Sequence, residues 1–517
     1  MSQNFCNFCT SIQRTIVLTR YPQPGQTKTR LIPGIGARAA ALLQRWMTEL
    51  ILDQTLLWQH RLNKDDFNHG DRWVTSGDLG DLKNVKDLSS RNSALTPDPP
   101  LQTIFDGEND PHALIPRSQI EVCFSGTTER NMHRWLGEPQ GDRYRYCAQG
   151  SGDLGDRMAQ ALARAWVDGV DRAVIIGSDC PSLTAEDLHQ AFAALDQADL
   201  VLGPAEDGGY YLLGMTRPQT STIAETLAQG LFSGIPWSTD HVLEQTLAAA
   251  QGQNLRVATL TTYRDIDQPV DLPYVQDATH WDTQLISAIV PTYNEAAHIA
   301  TTLQHLATAS NLEIILVDGG STDATIAIAR SLSLSCPFKI IELSGGGRAR
   351  QCNAAAAEAS GDILLFVHAD TWLPPYFDLF LRGALHGSSR RSAAIAGAFE
   401  LRTDSDRPEL RRVEWWANWR SRYLSLPYGD QAIFLRATTF YGCGGFPNLP
   451  IMDDYALVRQ LARYGQIATL PIAVTTSARR WERLGIWKTT VLNQAIVLAY
   501  ELGVAPDRLA RWYRGQS

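Results

Sequence analysis

The stretch GDILLFVHADT, residues 361–371, is an apolar run that stops abruptly at His368-Ala369-Asp370. A short apolar run bounded by turn residues reads as a buried strand. A lone carboxylate at its end has an ordinary explanation, because Asp hydrogen-bonds the following backbone in turns. The surrounding chain points further. Upstream, ISAIVPTYNE, LEIILVDGG and KIIELSG read as strands, with HIATTLQHLA, ATIAIARSL and RARQCNAAAAEA as helices between and after them. Strands alternating with helices predict a parallel α/β sheet in which 361–371 carries the fourth strand. Ligands bind such sheets at the carboxyl ends of the strands, where Asn294-Glu295, Asp318 and Asp370 all fall. Acids gathered there repel one another unless a divalent cation or a ligand's donors sit between them. A nucleoside diphosphate with Mg²⁺ or Mn²⁺ answers both needs.

The same alternation runs through the first half of the chain. TIVLTR (15–20) reads as a strand, ARAAALLQRWMTELILDQTLL as a helix, and IEVCFSG (120–126), RAVIIGSD (172–179) and ADLVLGPA as further strands. Between them, residues 63–117 turn polar, with TPDPP and GENDP, and are expected to form an insertion or disordered surface loop. Gln268 to Gln284 holds two prolines and no apolar period, which marks it as a linker. The fold expected is two tandem Rossmann-like α/β domains with mostly parallel sheets, over residues 1–276 and 284–517. In the first, QPGQTKTRL places Lys28 and Arg30 on a Gly/Pro loop suited to phosphate oxygens. Asp179, Glu206-Asp207, Asp265 and Asp267 supply acids that would suit a metal-bound nucleotide.

Bulk properties narrow the function classes. With 517 residues and a net charge of −9, the chain is enzyme-sized and poorly suited to nucleic acid. The eight Cys are scattered, and Cys6 and Cys9 have no second C-x-x-C to complete a zinc site, so reduced cytoplasmic thiols are expected. Neither a secretory leader nor an uninterrupted membrane-spanning stretch is apparent, so neither secretion nor spanning is expected. GGGRAR (345–350) lacks the third glycine of a dinucleotide loop, although Arg348 could still reach a phosphate, and PGQTKTR lacks the glycines of a Walker A loop.

Residues 285–517 resemble the family 2 glycosyltransferases of the GT-A fold. AIVPTYNE, VDGGSTDAT, GRARQCNAAA, ILLFVHADT, YGDQAIFLR, GGFPNLPIMDD and SARRW carry the resemblance in order. It implies that Pro291, Glu295 and Asp318 hold the nucleoside. Asp370 would ligate the metal as the last residue of a D-x-D-like element whose first place is taken by His368. Asp453-Asp454 stands for the family's acidic pair, with Asp454 as general base, although DDYALVRQLARYG also reads as a helix start, where acids favour the dipole. Arg480 would lie beside the diphosphate, with Arg479 able to share the contact, and Trp481 would shape the acceptor pocket.

Residues 14 to about 275 resemble the DUF2064 family, relatives of MobA-like and CofC-like nucleotidyltransferases, through KTRL, GDLGDRM, GSDCPSL, DGGYYLLG and IPWST. By that resemblance Lys28 and Arg30 bind phosphates, and Asp179 with Asp267 holds a cation. For the C-terminal half, the family 2 resemblance implies transfer of a sugar from a nucleotide sugar to a hydroxyl of a small molecule or lipid, with inversion. Arsenosugar or glycolipid-type products enter by analogy. The N-terminal half could instead be a nucleotidyltransferase that makes the donor, or an inactive binding module. Finally, RRVEWWANWRSRYLSLPYG (411–429) clusters Trp415, Trp416 and Trp419 with Arg, which suits a helix packed into the core, an acceptor groove, or peripheral contact at the inner face of the membrane.

Overall fold

The computed structural model describes residues 11–68, 118–137, 143–218, 230–343, 345, 347–388 and 391–514. Of the polar insertion, residues 63–68 continue a helix and 69–117 lie outside the described residues.

Seven strands form the N-terminal sheet: β1 (Gln13–Arg20), β2 (Ser118–Ser125), β3 (Arg145–Ala148), β4 (Arg172–Gly177), β5 (Leu200–Pro204), β6 (Tyr210–Thr216) and β7 (Val257–Thr259). Their order is β3-β2-β1-β4-β6-β5-β7. The first four are parallel, and β6 runs antiparallel to both its neighbours. Helices cover both faces of a sheet of this kind, so its central strands are apolar on both sides; Ile16 and Val17, which point to opposite faces of β1, are both fully buried.

The C-terminal sheet has eight strands: β8 (Ile286–Thr292), β9 (Leu312–Asp318), β10 (Phe338–Glu342), β11 (Ile363–Phe366), β12 (Thr371–Trp372), β13 (Ala396–Thr403), β14 (Ile433–Arg436) and β15 (Ile467–Thr476). They lie in the order β10-β9-β8-β11-β14-β13-β15-β12. The opening stretch is indeed the fourth strand, parallel to β8 in register Ile363 to Ile286. In each half the chain starts at a central strand, builds outward on one side, then crosses to the other. The crevices between β1 and β4 and between β8 and β11 are therefore the switch points at which open α/β sheets bind ligands.

The helices that position the sites are α1 (Ala37–Asn68), α2 (Leu272–Thr279), α3 (Gly347–Ala357), α4 (Phe377–Leu385), α5 (Pro408–Leu424), α6 (Asp453–Leu461), α7 (Ile486–Glu501) and α8 (Pro506–Arg514). The stretch read as a linker is helical in part and packed. Within it α2 buries Leu272, Val275 and Gln276, and Trp281 is 4% exposed. Trp46 of α1 meets Trp281 edge-on at 5.8 Å and lies 5.8 Å from Phe380 of α4, so one apolar core spans the two halves. Gly383 makes room for it: a Cβ there would come within 2.5 Å of the Trp46 ring. Beside it the buried Arg382 guanidinium donates to Gln276 Oε1 at 2.5 Å and to the Ser310 carbonyl at 2.8 Å, which ties the connecting segment to the second sheet. Within this stretch Leu272, Val275, Gln276 and Trp281 are buried while Val270 and Tyr274 are exposed.

Candidate active site

At the C-terminal switch point the loop after β8 carries Glu295 and the loop after β11 carries His368 and Asp370. Arg479, from the segment after β15, bridges them: Nη2 forms an ion pair with Glu295 Oε1 and lies 3.1 Å from Asp370 Oδ2. The other oxygen of Glu295 is buried without a partner and so is free to accept from a ligand. These groups line a cavity of about 1000 Å³ together with Arg348, Asp453, Asp454, Arg480 and Trp481. Arg480 lies 4.0 Å from the centre of the Tyr513 ring and keeps Nη2 buried and unpaired, and Trp481 Nε1 is likewise unpaired. A cavity whose wall holds unsatisfied donors and acceptors is prepared for a polar ligand.

The acidic pair opens α6, as the helix-start reading expects, and it also faces the cavity. Arg348, at the start of α3, does not project alone toward phosphate. Its guanidinium grips Asp453 through 2.6 and 3.1 Å bonds, reaches Asp454 at 3.1 Å and donates to His368 Nε2 at 2.8 Å. Asp453 is thereby committed to a fork-like pair. Asp454 also accepts from the Gly429 amide at 2.7 Å and from its neighbour Tyr455 at 2.8 Å. Burial would push the Asp454 carboxyl up, but Arg348 and the Gly429 amide outweigh it and hold it below the usual carboxylate range. Burial and the adjoining guanidinium depress His368, so a neutral imidazole occupies the first position of the D-x-D-like element. Asp430 lies on the same wall, raised by burial, with Oδ1 unpaired.

Two nucleoside-binding candidates stand apart from this wall. Asp318, at the end of β9, accepts from the Gly320 and Ser321 amides at 3.0 and 2.9 Å, and its second oxygen is buried and unpaired. Pro291 lines a small neighbouring cavity with Arg348 and His368 rather than the large one. Asp430, Tyr428, Asn493 and Tyr513 line the large cavity with no role assigned from sequence. Asp430 was within reach, since YGDQAIFLR is one of the ordered motifs; Asn493 and Tyr513 sit on α7 and α8 without any local signal.

At the N-terminal switch point a polar cavity of about 330 Å³ is lined by Arg20, Lys28, Arg30, Arg157, Ser178 and Asp179, among others. Lys28 has left-handed backbone (φ 49°) and a side chain only 6% exposed. Its ammonium lies 3.1 Å from Asp179 and 2.8 Å from Asp267 and donates to the Ile266 carbonyl at 2.5 Å. Arg30 reaches the other oxygen of Asp267 at 3.0 Å. Burial alone would disfavour the charged amine, but the two carboxylates outweigh it and raise the Lys28 pKa. The Lys28 ammonium thus stands between Asp179 and Asp267, the two acids that the family resemblance assigns to a cation. Among the described residues no group of three or more His, Cys, Asp or Glu side chains is arranged to hold a metal. Asp370, paired with Arg479 at 3.1 Å, stands singly on the wall of the large cavity.

Residues 287–433 match the model of glycosyl transferase family 2. The C-terminal half resembles that family. Residues 113–239 match DUF2064, an uncharacterized protein family conserved in bacteria. Asp453, Asp454, Arg480 and Trp481 lie beyond the matched segment. The chain is 34% identical over 107 residues to EpsH of Bacillus subtilis, covering 20% of this chain and 31% of that protein. It is 33% identical over 93 residues to TarS of Staphylococcus aureus, a poly(ribitol-phosphate) beta-N-acetylglucosaminyltransferase, covering 17% and 16% of the two. The matched stretches thus span less than a third of either relative. Among solved structures, the mannosyltransferase PcManGT of Pyrobaculum calidifontis, in complex with GDP-Man and Mn²⁺, aligns at 22% identity over 46% of this chain and 75% of that one, with a TM-score of 0.33. Among the described residues no helix is long and apolar enough to cross a membrane.

Proposed function

We propose that the C-terminal half transfers a glycosyl group from a nucleotide sugar to an acceptor hydroxyl. The observation that carries this reading is the convergence of Glu295, Asp370, Asp454, Arg479 and Arg480 on one cavity from motifs spread over most of the domain. Arg479 and the unpaired Nη2 of Arg480 offer guanidinium donors to a diphosphate. The free oxygens of Glu295 and Asp318 suit ribose hydroxyls and base N–H groups. Asp370 would hold a Mg²⁺ or Mn²⁺ ion that neutralises the departing nucleoside diphosphate. Asp454 is held ionised by Arg348 and oriented by the Gly429 amide, so it takes the acceptor proton as attack proceeds, giving single displacement with inversion. The acceptor is a small-molecule or lipid hydroxyl, of arsenosugar or glycolipid type, and the setting is the cytoplasm with peripheral contact at the membrane.

For the N-terminal half, Arg20, Lys28, Arg30 and Arg157 around one cavity favour binding of a nucleotide's phosphates, and with it the reading of a nucleotidyltransferase that supplies the donor. The engagement of Lys28 by two carboxylates favours the rival reading, a module without turnover. Nucleoside diphosphate binding by calorimetry with Mn²⁺, beside sugar transfer from nucleotide-sugar donors, tests the first proposal. Absence of both would sink it. Pyrophosphate release from a nucleoside triphosphate and a sugar phosphate, compared between wild type and Lys28→Met, separates the other two.

A further inference from the structure

Helix α7 presents apolar residues to both sides. Inward, Asn493, Ile496 and Val497 line the large cavity. The outward face of such a helix should be polar if water covers it. Instead Trp487, Val491, Leu498 and Leu502 are 55%, 65%, 62% and 76% exposed. With the exposed Ala495 they follow one another at steps of four, four, three and four residues, a single stripe along the helix.

Helix α5 adjoins it, since Leu410 and Val413 of α5 share a small apolar cluster with Ile486 of α7. Trp415 and Trp416 do not pack into the core, and Trp419 is half-buried. Trp415 is 64% exposed, Trp416 44% and Tyr423 65%. Trp416 stacks on Trp419 at 5.2 Å, and Trp419 lies 5.7 Å from Tyr423, so the rings form a ladder along the outside of the helix. Single exposed apolar side chains need no explanation, but a run of them on two touching helices does.

Charge identifies the occupant. The chain carries −9 overall, yet α5 and α7 themselves expose Arg412, Arg422 and Lys488 against Glu501, with Arg422 paired to Glu400. Glu501 is itself engaged, accepting from Tyr455 at 2.6 Å. Aliphatic residues, Trp and Tyr rings, and Arg and Lys on one surface are the composition that enters the interface of an anionic bilayer. The absence of a spanning helix among the described residues is consistent with binding from one side.

We propose that the outer faces of α5 and α7 dock this domain on an anionic phospholipid bilayer. Helix α7 is then the wall between the lipid surface and the cavity, and the acceptor hydroxyl is presented on a membrane lipid; this last clause rests on the transferase reading above. The docking itself does not, so it is tested without any substrate. Full-length protein is floated with phosphatidylcholine vesicles, with and without phosphatidylglycerol, at low and high salt. Wild type should float with the anionic vesicles and be released by salt. The triple variant Val491→Ser, Leu498→Ser, Leu502→Ser should float at least about tenfold less, because it removes three side chains that bilayer contact would bury. All three are exposed, and an unchanged melting temperature will show that the variant is folded. Wild type that stays with the soluble fraction, or a folded variant that floats as well as wild type, overturns the proposal. So does light scattering that finds a wild-type dimer broken by the variant with no flotation of either, which would assign the face to a second copy. Loss of sugar transfer with flotation intact would instead count against the transferase reading alone.

Discussion

The two halves share a sheet order at their cores and differ in where the central cation comes from. In the N-terminal half Lys28, from the loop after β1, bridges Asp179 after β4 and Asp267 from a late segment. In the C-terminal half the carboxylates occupy the loops after β8 and β11, and the cation, Arg479, arrives from the late segment. The same three places hold the same charges in a different arrangement. The lysine is nearly buried and Asp267 is held low, burial notwithstanding, by Lys28 and Arg30. Arg479 is 47% exposed beside a cavity three times the size. In both halves the switch point gathers a cation and two carboxylates, deep in the N-terminal half and more exposed in the C-terminal one.

The largest effect is expected where the halves touch. Trp46→Ala removes a ring packed on Trp281 and Phe380 and should destabilise by about 3–5 kcal/mol. Denaturation followed by probes in each half should show both transitions shifting together. If only one moves, the halves fold independently, as the linker reading from sequence expects.

Next comes the chemistry of the C-terminal cavity. Asp454→Asn should lower turnover about 100-fold or more while leaving nucleotide-sugar affinity nearly intact, the scale of losing a positioned base. Asp370→Asn should weaken metal-dependent nucleoside diphosphate binding and turnover together. Calorimetry beside transfer assays reads both. An Asp370→Asn protein that binds like wild type would reduce His368-Ala369-Asp370 to a strand end.

Lys28→Met sharpens the contrast of depth. It leaves two carboxylates facing each other without their ammonium and should cost on the order of 1–3 kcal/mol, reduced from the buried-pair value because both acids are part-exposed. Arg479→Met, at the exposed counterpart, should cost under about 1 kcal/mol. Equal losses by urea denaturation would erase the distinction.

The smallest effect is a pH dependence. Burial, with Asp207 and Asp267 nearby, raises Asp265 from 3.8 to about 6. Between those values the folded state keeps a proton that the unfolded chain has lost, so its contribution to stability falls as pH rises through that window. Asp265→Asn should abolish the decline and stabilise the protein above pH 6 by on the order of 1 kcal/mol, after allowance for partial exposure. Parallel stability profiles for variant and wild type from pH 4 to about 7 would contradict the assignment.

The sequence by itself determined both α/β series and the place of Asp370 at the end of the fourth strand, whereas the gathering of Glu295, Asp454, Arg480 and Trp481 on one cavity was implied there only by the family resemblance. These are legible because strand and helix periods and motif order are local properties. Tertiary structure alone decided the partners. Arg348 grips Asp453 across 105 positions, and Lys28 meets Asp267 across 239. It also turned a presumed linker into shared core, and it left the Trp rings of α5 and the apolar stripe of α7 facing outward. No local pattern encodes which charge neutralises which, or whether an apolar face has a neighbour, because both depend on segments that meet only once the sheets have closed their crossovers.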